Sequence, residues 1–158
     1  MIGKDKFSPA ERSTIMAAVR SSNTTPERVV RSTLHRLGYR YRLHDARLPG
    51  KPDLSFPSRR IALFVHGCFW HRHPGCKRAA MPSAHRDYWL PKFERNIRRD
   101  DEHRVKLEAL GWTVLVVWEC QLRGVDWLYD VQAALGSDGE LASARRKLRM
   151  QHDRTPQL

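Results

Sequence analysis

Apolar residues recur along this chain at two different spacings, and the changes from one to the other outline a single folding unit. Ser8-Pro9-Ala10-Glu11 has the form of a capping box with proline at the first helical position, which predicts a helix reaching about Val19. Ser21-Ser22-Asn23-Thr24 reads as a loop. Thr25-Pro26-Glu27 opens a second helix, with Val29, Val30, Thr33, Leu34 and Leu37 on its apolar stripe and Gly38 at its end. From Tyr39 to Leu43 apolar and basic residues alternate, as in a half-exposed strand. A turn from Leu48 to Asp53 leads into a short strand, Leu54 to Phe56, and Pro57-Ser58-Arg59-Arg60 makes the next turn. Ile61-Ala62-Leu63-Phe64-Val65 is a continuous apolar run, expected of a central strand.

Beyond an irregular stretch from Pro74 to His85, the residues Trp89, Phe93, Ile97, Leu107 and Leu110 mark one long helix, or two joined ones, stopped by Gly111. Trp112 to Trp118 reads as another buried strand. Asp126 is placed to cap a last helix carrying Leu128, Val131 and Leu135, ended by Gly136. The pattern predicts an α/β fold in one domain over residues 1–136, with a polar, basic and mobile tail over residues 137–158.

Composition narrows the function. Lys and Arg total 29 against 17 Asp and Glu, a net charge of +12 that favours a polyanionic partner such as nucleic acid. Arginine is spread through the chain, which points to a folded binding face. No apolar run approaches the about 18 residues that span a bilayer, and the first residues lack the apolar core of a secretory signal. A cytoplasmic protein with no membrane partner is expected.

The 3 cysteines cannot all pair within one chain, and reduced thiols or metal ligands suit a cytosolic setting better than a disulfide framework. Cys68, His73 and Cys76 are close in sequence, and Cys120 follows the strand that ends at Trp118. Together they make the Cys₃His complement of a closed, structural zinc site. His66 and His71 are left over. They flank Cys68 where a central strand ends, and imidazoles there can move protons near neutral pH. Asp53, between a turn and a strand, is where metal-dependent nucleases hold Mg²⁺, although Pro-Asp also starts many ordinary turns. The Glu-x-Lys that commonly follows in restriction-type nucleases is missing from Leu63-Phe64-Val65-His66. Glu27, in a first helical turn, needs no role beyond complementing the helix dipole.

An ordered set of motifs changes that balance. Pro49-Gly50-Lys51-Pro52-Asp53, Phe64-Val65-His66-Gly67-Cys68-Phe69-Trp70-His71, Asn96 with Arg99-Asp100, Leu110-Gly111-Trp112 and Val117-Trp118-Glu119-Cys120 together resemble the very short patch repair (Vsr) endonucleases. The likeness runs from about Arg12 to Arg123. It implies a restriction-endonuclease-like mixed sheet flanked by helices, with one structural zinc. It also implies an enzyme that nicks one strand of double-stranded DNA beside the thymine of a T·G mismatch left by deamination of 5-methylcytosine.

By the same resemblance Asp53 is the Mg²⁺ ligand, joined by the backbone carbonyl of Val65. His71 is the proton-transfer residue supported by His66, and Glu27 matches the family's acidic residue at the second helix. Some members carry threonine where this chain has Val65, so a hydroxyl contact cannot form here. Phe69, Trp70 and Trp89 are implied to wedge into the duplex, with residues 1–22 as a DNA-contacting arm. Trp112, Trp118 and Trp127 are assigned to the core. A cytosine-5 methyltransferase and mismatch-repair proteins are the implied partners, and a monomer suffices to nick one strand. The rival readings are a zinc-containing DNA-binding module without catalysis and a restriction-type nuclease of the same fold.

Overall fold

The computed structural model describes residues 7–19 and 21–136. The segments 1–6 and 137–158, and with them the expected tail, lie outside the described residues. Helix α1 (Pro9–Ala18) begins with the capping box: the Ser8 hydroxyl accepts from the Glu11 N–H while the Glu11 carboxylate accepts from the Ser8 N–H. Helix α2 (Thr25–Arg36) is capped by Thr24 and ends where Gly38 takes a φ of 97°. Strands β1 (Arg42–Leu43), β2 (Leu54–Phe56) and β3 (Ile61–His66) follow as an antiparallel meander. Helix α3 (Arg86–Ala109) then carries the chain across to β4 (Thr113–Trp118), which pairs parallel to β3. Parallel neighbours need such a crossover, and one long helix supplies it. Helix α4 (Asp126–Leu135) completes a mixed α/β fold around a four-stranded sheet in the order β1-β2-β3-β4.

The period of two along the strands sorts the core. Ile61, Leu63 and Val65 of β3 share a sheet face with Leu54 and Phe56 of β2 and with Leu115 and Val117 of β4. That face packs on Val30 and Leu34 of α2 and on Trp127, Val131 and Leu135 of α4. The opposite face carries Phe64, Val114 and Val116, and α3 lies over it with a groove of about 520 Å³ between them. Among the described residues no helix is long and apolar enough to cross a membrane.

The structure departs from the sequence pattern in four places. Only Arg42 and Leu43 of the predicted first strand pair with a neighbour. Tyr39 instead donates its N–H to Leu34 and is buried against the helix end, while the Tyr41 hydroxyl donates to the Arg31 carbonyl. The Trp112-to-Trp118 run is an edge strand and not a buried one, with only Val117 fully buried, because nothing pairs on its outer side. Val125, not Asp126, is the N-cap of α4, and no side chain caps that end. Of the three tryptophans assigned to the core, Trp127 is buried, whereas Trp112 and Trp118 are half-buried.

Leu63 is fully buried at the centre of the sheet. Leu63→Ala is expected to destabilise the fold by about 3 kcal/mol. Urea unfolding checks this, the midpoint falling with little change in slope.

Candidate active site

The turn before β2 sets the first acidic group. Gly50 has a φ of 75°, and a Cβ there would lie 2.7 Å from the His103 ring, so the chain can pass only as glycine. Asp53 follows, one residue before the strand, and its Oδ2 accepts a 2.7 Å hydrogen bond from the Val65 N–H. Glu27 reaches the same place from the first turn of α2. Its side chain is 95% buried by its 5% exposure, and its carboxylate accepts from the Asn23 N–H and the Thr24 hydroxyl. His44, just after β1, completes a Glu27-His44-Asp53 group whose ligand atoms lie within 4.8 Å of one another.

Strand β3 delivers the second group. The His66 and His71 rings stack at 3.8 Å with an interplanar angle of 6°. His71 Nδ1 lies 2.6 Å from Asp100 Oδ2, on the face of α3. Glu27 and Asp53 of the first group and His66, His71 and Asp100 of the second line one cleft of about 910 Å³, walled also by Met16 and Val19 from the α1 end and by Lys92 and Arg99 from α3.

The third group is a cluster that could hold a metal ion. Cys68, His73, Cys76 and Cys120 bring one donor atom each to within 4.8 Å of one another. His73 Nδ1 is 3.7 Å from Cys68 Sγ and 3.3 Å from Cys120 Sγ. These separations suit four donors around one tetrahedral ion with bonds of roughly 2.0–2.3 Å. The His73 ring lies flat on Trp118 at 4.3 Å, which fixes its orientation. That contact explains why Trp118 is not core: it packs a ligand.

Between the cleft and this cluster, Phe69 packs edge-on against Trp70, Trp89 and Phe93. Phe69 and Trp70 are half-buried, whereas Trp89 is only 9% exposed and stacks on Phe93. The Lys92 ammonium stands over Trp70 at 5.3 Å, and the Arg12 guanidinium of α1 over Tyr88 at 5.7 Å. The Asn96 amide donates to the Trp70 carbonyl and ties the loop to α3.

Residues 4–78 match the family model described as DNA mismatch endonuclease Vsr. The chain is 55% identical over 118 residues to the type II nicking enzyme V.XorIIP of Xanthomonas oryzae pv. oryzae, covering 75% of this chain and 86% of that protein. It is 40% identical over 126 residues to the DNA mismatch endonuclease Vsr of Escherichia coli (strain K12), covering 80% of each. It is also 40% identical over 119 residues to the type II nicking enzyme V.NmeAIP of Neisseria meningitidis serogroup A, covering 75% of this chain and 84% of that one. This chain belongs to the Vsr DNA mismatch endonuclease family. The likeness read from the motifs therefore holds, and with it the assignment to an endonuclease. The segment matched by the Vsr model includes Glu27, His44, Asp53 and His66 to Cys76; Asp100 and Cys120 lie beyond it.

Electrostatics separates the groups of this Vsr-family cleft. Burial pushes the Asp53 carboxyl up to about 7, the Val65 N–H opposes the rise and the Glu27 charge adds to it. Burial and the neighbouring His71 push His66 down to about 3, so it is neutral at physiological pH. Burial would raise Asp100, but its hydrogen bond to His71 and the charges of His71, His66 and Arg99 hold it below the usual carboxylate range. Burial also drives the Cys68 thiol up to about 11, a cost that a bound cation offsets.

All the residues singled out in the sequence fall in these groups, with Val65 as the hydrogen-bond donor to Asp53. His44 was missed altogether, and Asp100 was seen only as part of a motif. Asp100 reaches His71 across 29 residues, a pairing with no local signal.

Asp53 carries a raised folded pKa, so its contribution to stability is full below the unfolded value near 3.8 and is lost as pH rises through about 7. Asp53→Asn, which cannot ionise, is expected to gain stability over the wild type progressively from pH 4 to pH 7 and to level off above. Urea midpoints across pH, without added divalent cation, check this.

Proposed function

We propose that this protein nicks one strand of double-stranded DNA beside the thymine of a T·G mismatch, in a Mg²⁺-dependent reaction, on a restriction-endonuclease-like scaffold held by zinc. The carrying observation is that the buried Glu27 and half-buried Asp53 carboxylates and the hydrogen-bonded pair His71–Asp100 open onto one cleft in a chain of this family. Asp53, with the backbone carbonyl of Val65 and with Glu27 nearby, is the set that holds Mg²⁺. The ion, when bound, neutralises the scissile phosphate and stabilises the leaving 3′-oxygen.

His71 takes the proton of the attacking water. Its Nδ1 is committed to Asp100, which leaves Nε2 for water and lets the carboxylate stabilise the imidazolium as it forms. His66, kept neutral by burial, stacks on His71 and holds its ring plane. Water oxygen bonds to phosphorus as the P–O3′ bond breaks, and the leaving 3′-oxygen takes a proton from solvent, giving a 3′-hydroxyl and a 5′-phosphate.

Phe69 and Trp70 are the rings placed to enter the duplex, where a mispaired step unstacks at least cost. Trp89 supports them from below and joins the wedge only if the cluster opens, since it is packed on Phe93. Helix α1 borders the same patch through Arg12 and serves as the DNA-contacting arm. Zinc is the ion for the Cys68-His73-Cys76-Cys120 cluster on the chemistry of its donors, three thiolates and one imidazole with no open position. A cytoplasmic monomer working beside a cytosine-5 methyltransferase, with mismatch-repair proteins downstream, fits this chemistry.

A duplex carrying one T·G pair and its matched counterpart, each labelled on both strands, test the reading with Mg²⁺ present. A nick on the thymine strand of the mismatch alone is expected. Cutting of both duplexes would make the protein a restriction-type nuclease, and binding without cutting would make it a DNA-binding module. Asp53→Asn is expected to abolish the nick and keep binding, and Asp100→Asn to slow it roughly 10²-fold to 10⁴-fold.

For the zinc site, elemental analysis should find one zinc per chain, lost in Cys120→Ser together with thermal stability. A Cys120→Ser protein with unchanged zinc content would remove Cys120 from the ligand set.

A further inference from the structure

His44 stands between these two carboxylates, and nothing in the family reading gives it a task. Its Nε2 lies 3.7 Å from Glu27 Oε2, and its Nδ1 lies 4.0 Å from Asp53 Oδ1. A charge-assisted hydrogen bond would close to about 2.7–2.9 Å. Only one ring nitrogen can bind a given ion. The 3.7 Å between Nε2 and Glu27 Oε2 is a separation that two donors take around one ion, each about 2.0–2.1 Å from it, and an Asp53 oxygen falls in the same group, within 4.8 Å. Nε2 is also buried, makes no hydrogen bond among the described residues, and faces Glu27. A buried ring nitrogen without a hydrogen bond is costly to retain, and a bound ligand would offset that cost.

The backbone holds the ring in place rather than letting it drift in. His44 has a φ of 46°, in the left-handed region, and its N–H donates to the Asp53 carbonyl at 3.2 Å. The next residue, Asp45, anchors the loop through both its oxygens to Arg47 and through Oδ2 to the buried Ser55 hydroxyl. A strained residue fixed this firmly beside two metal-binding carboxylates is a functional placement.

We propose that His44 is a nitrogen ligand of the divalent cation held at Glu27 and Asp53, and that it biases this site toward Mn²⁺ over Mg²⁺. The inference rests on the reading of Asp53 as a metal ligand. Its chemistry is the difference between donors: an all-oxygen set suits Mg²⁺, whereas an imidazole nitrogen adds affinity for first-row transition ions and little for Mg²⁺.

The test uses the full-length, zinc-loaded protein without DNA and Mn²⁺ alone as the probe. Pulsed electron paramagnetic resonance of bound Mn²⁺ is expected to show coupling to a ¹⁴N nucleus in the wild type and in His71→Ala, and to lose it in His44→Gln. In the same variant Mn²⁺ affinity, read from the free-ion signal, should fall at least about tenfold, while Mg²⁺ affinity, read by competition, changes much less. His44→Asn, which tolerates the left-handed backbone, repeats the measurement should the glutamine variant fail to fold.

Nitrogen coupling that survives both His44 variants and vanishes in His71→Ala would overturn the assignment, as would unchanged Mn²⁺ affinity. Mn²⁺ binding that persists in Asp53→Asn would instead overturn the reading of Asp53 beneath it. The two failures are thus told apart.

Discussion

The parallel pairing of β3 with β4, in the register that sets His66 opposite Trp118, is the constraint on which the rest of the molecule depends. Both strands end at the same level, so the loops that follow them start side by side. From one end comes Gly67 to Cys76 with three of the metal donors, and from the other come Glu119 and Cys120 with the fourth. A slip of one residue would turn Leu63, Val65 and Val117 away from α2 and α4, so the core itself enforces the register. Hydrophobic burial thus positions a largely polar site, and Val65, Cys68 and Trp89 are themselves buried with the core.

From that junction the two functional environments diverge. On one side the Cys₃His cluster ties the loop down, with Trp118 stacked on His73. On the other, the same loop holds His71 against His66 and Asp100 at the wall of the cleft. The cluster is some way from any substrate chemistry, yet it determines where His71 sits, because only one residue separates His71 from the ligand His73. A metal held at this cluster would thus be linked to the placement of His71 through a very short segment.

The cleft is costly in its resting form. Glu27 and Asp53 are carboxylates brought together with little water, and burial pushes Asp53 up to about 7. A shift of this kind is what a functional site commonly shows, and a bound cation would offset its cost. The basic side chains near it, Lys92 and Arg99, face the cleft mouth and are placed to meet phosphate.

Much of this was legible in the sequence, and the limits have definite causes. The capping boxes, the apolar run Ile61 to Val65 and the glycine stops follow from local rules, and the helices and central strands appear where those rules put them. The cysteine count and spacing brought out a candidate metal cluster, and the motifs around His66 to His71 were enough to indicate the family, because most of these residues lie close along the chain. What the sequence could not disclose depends on packing. Whether Trp112 to Trp118 is buried is decided by what lies beside it in the sheet, and it proved to be an edge. The pairing of His71 with Asp100, and the placement of His44 between Glu27 and Asp53, join segments far apart in sequence through space alone. Local spacing determines which residues can share a strand or a helical face; only the folded core determines which distant side chains meet, since a contact across the chain has no period for a sequence to show.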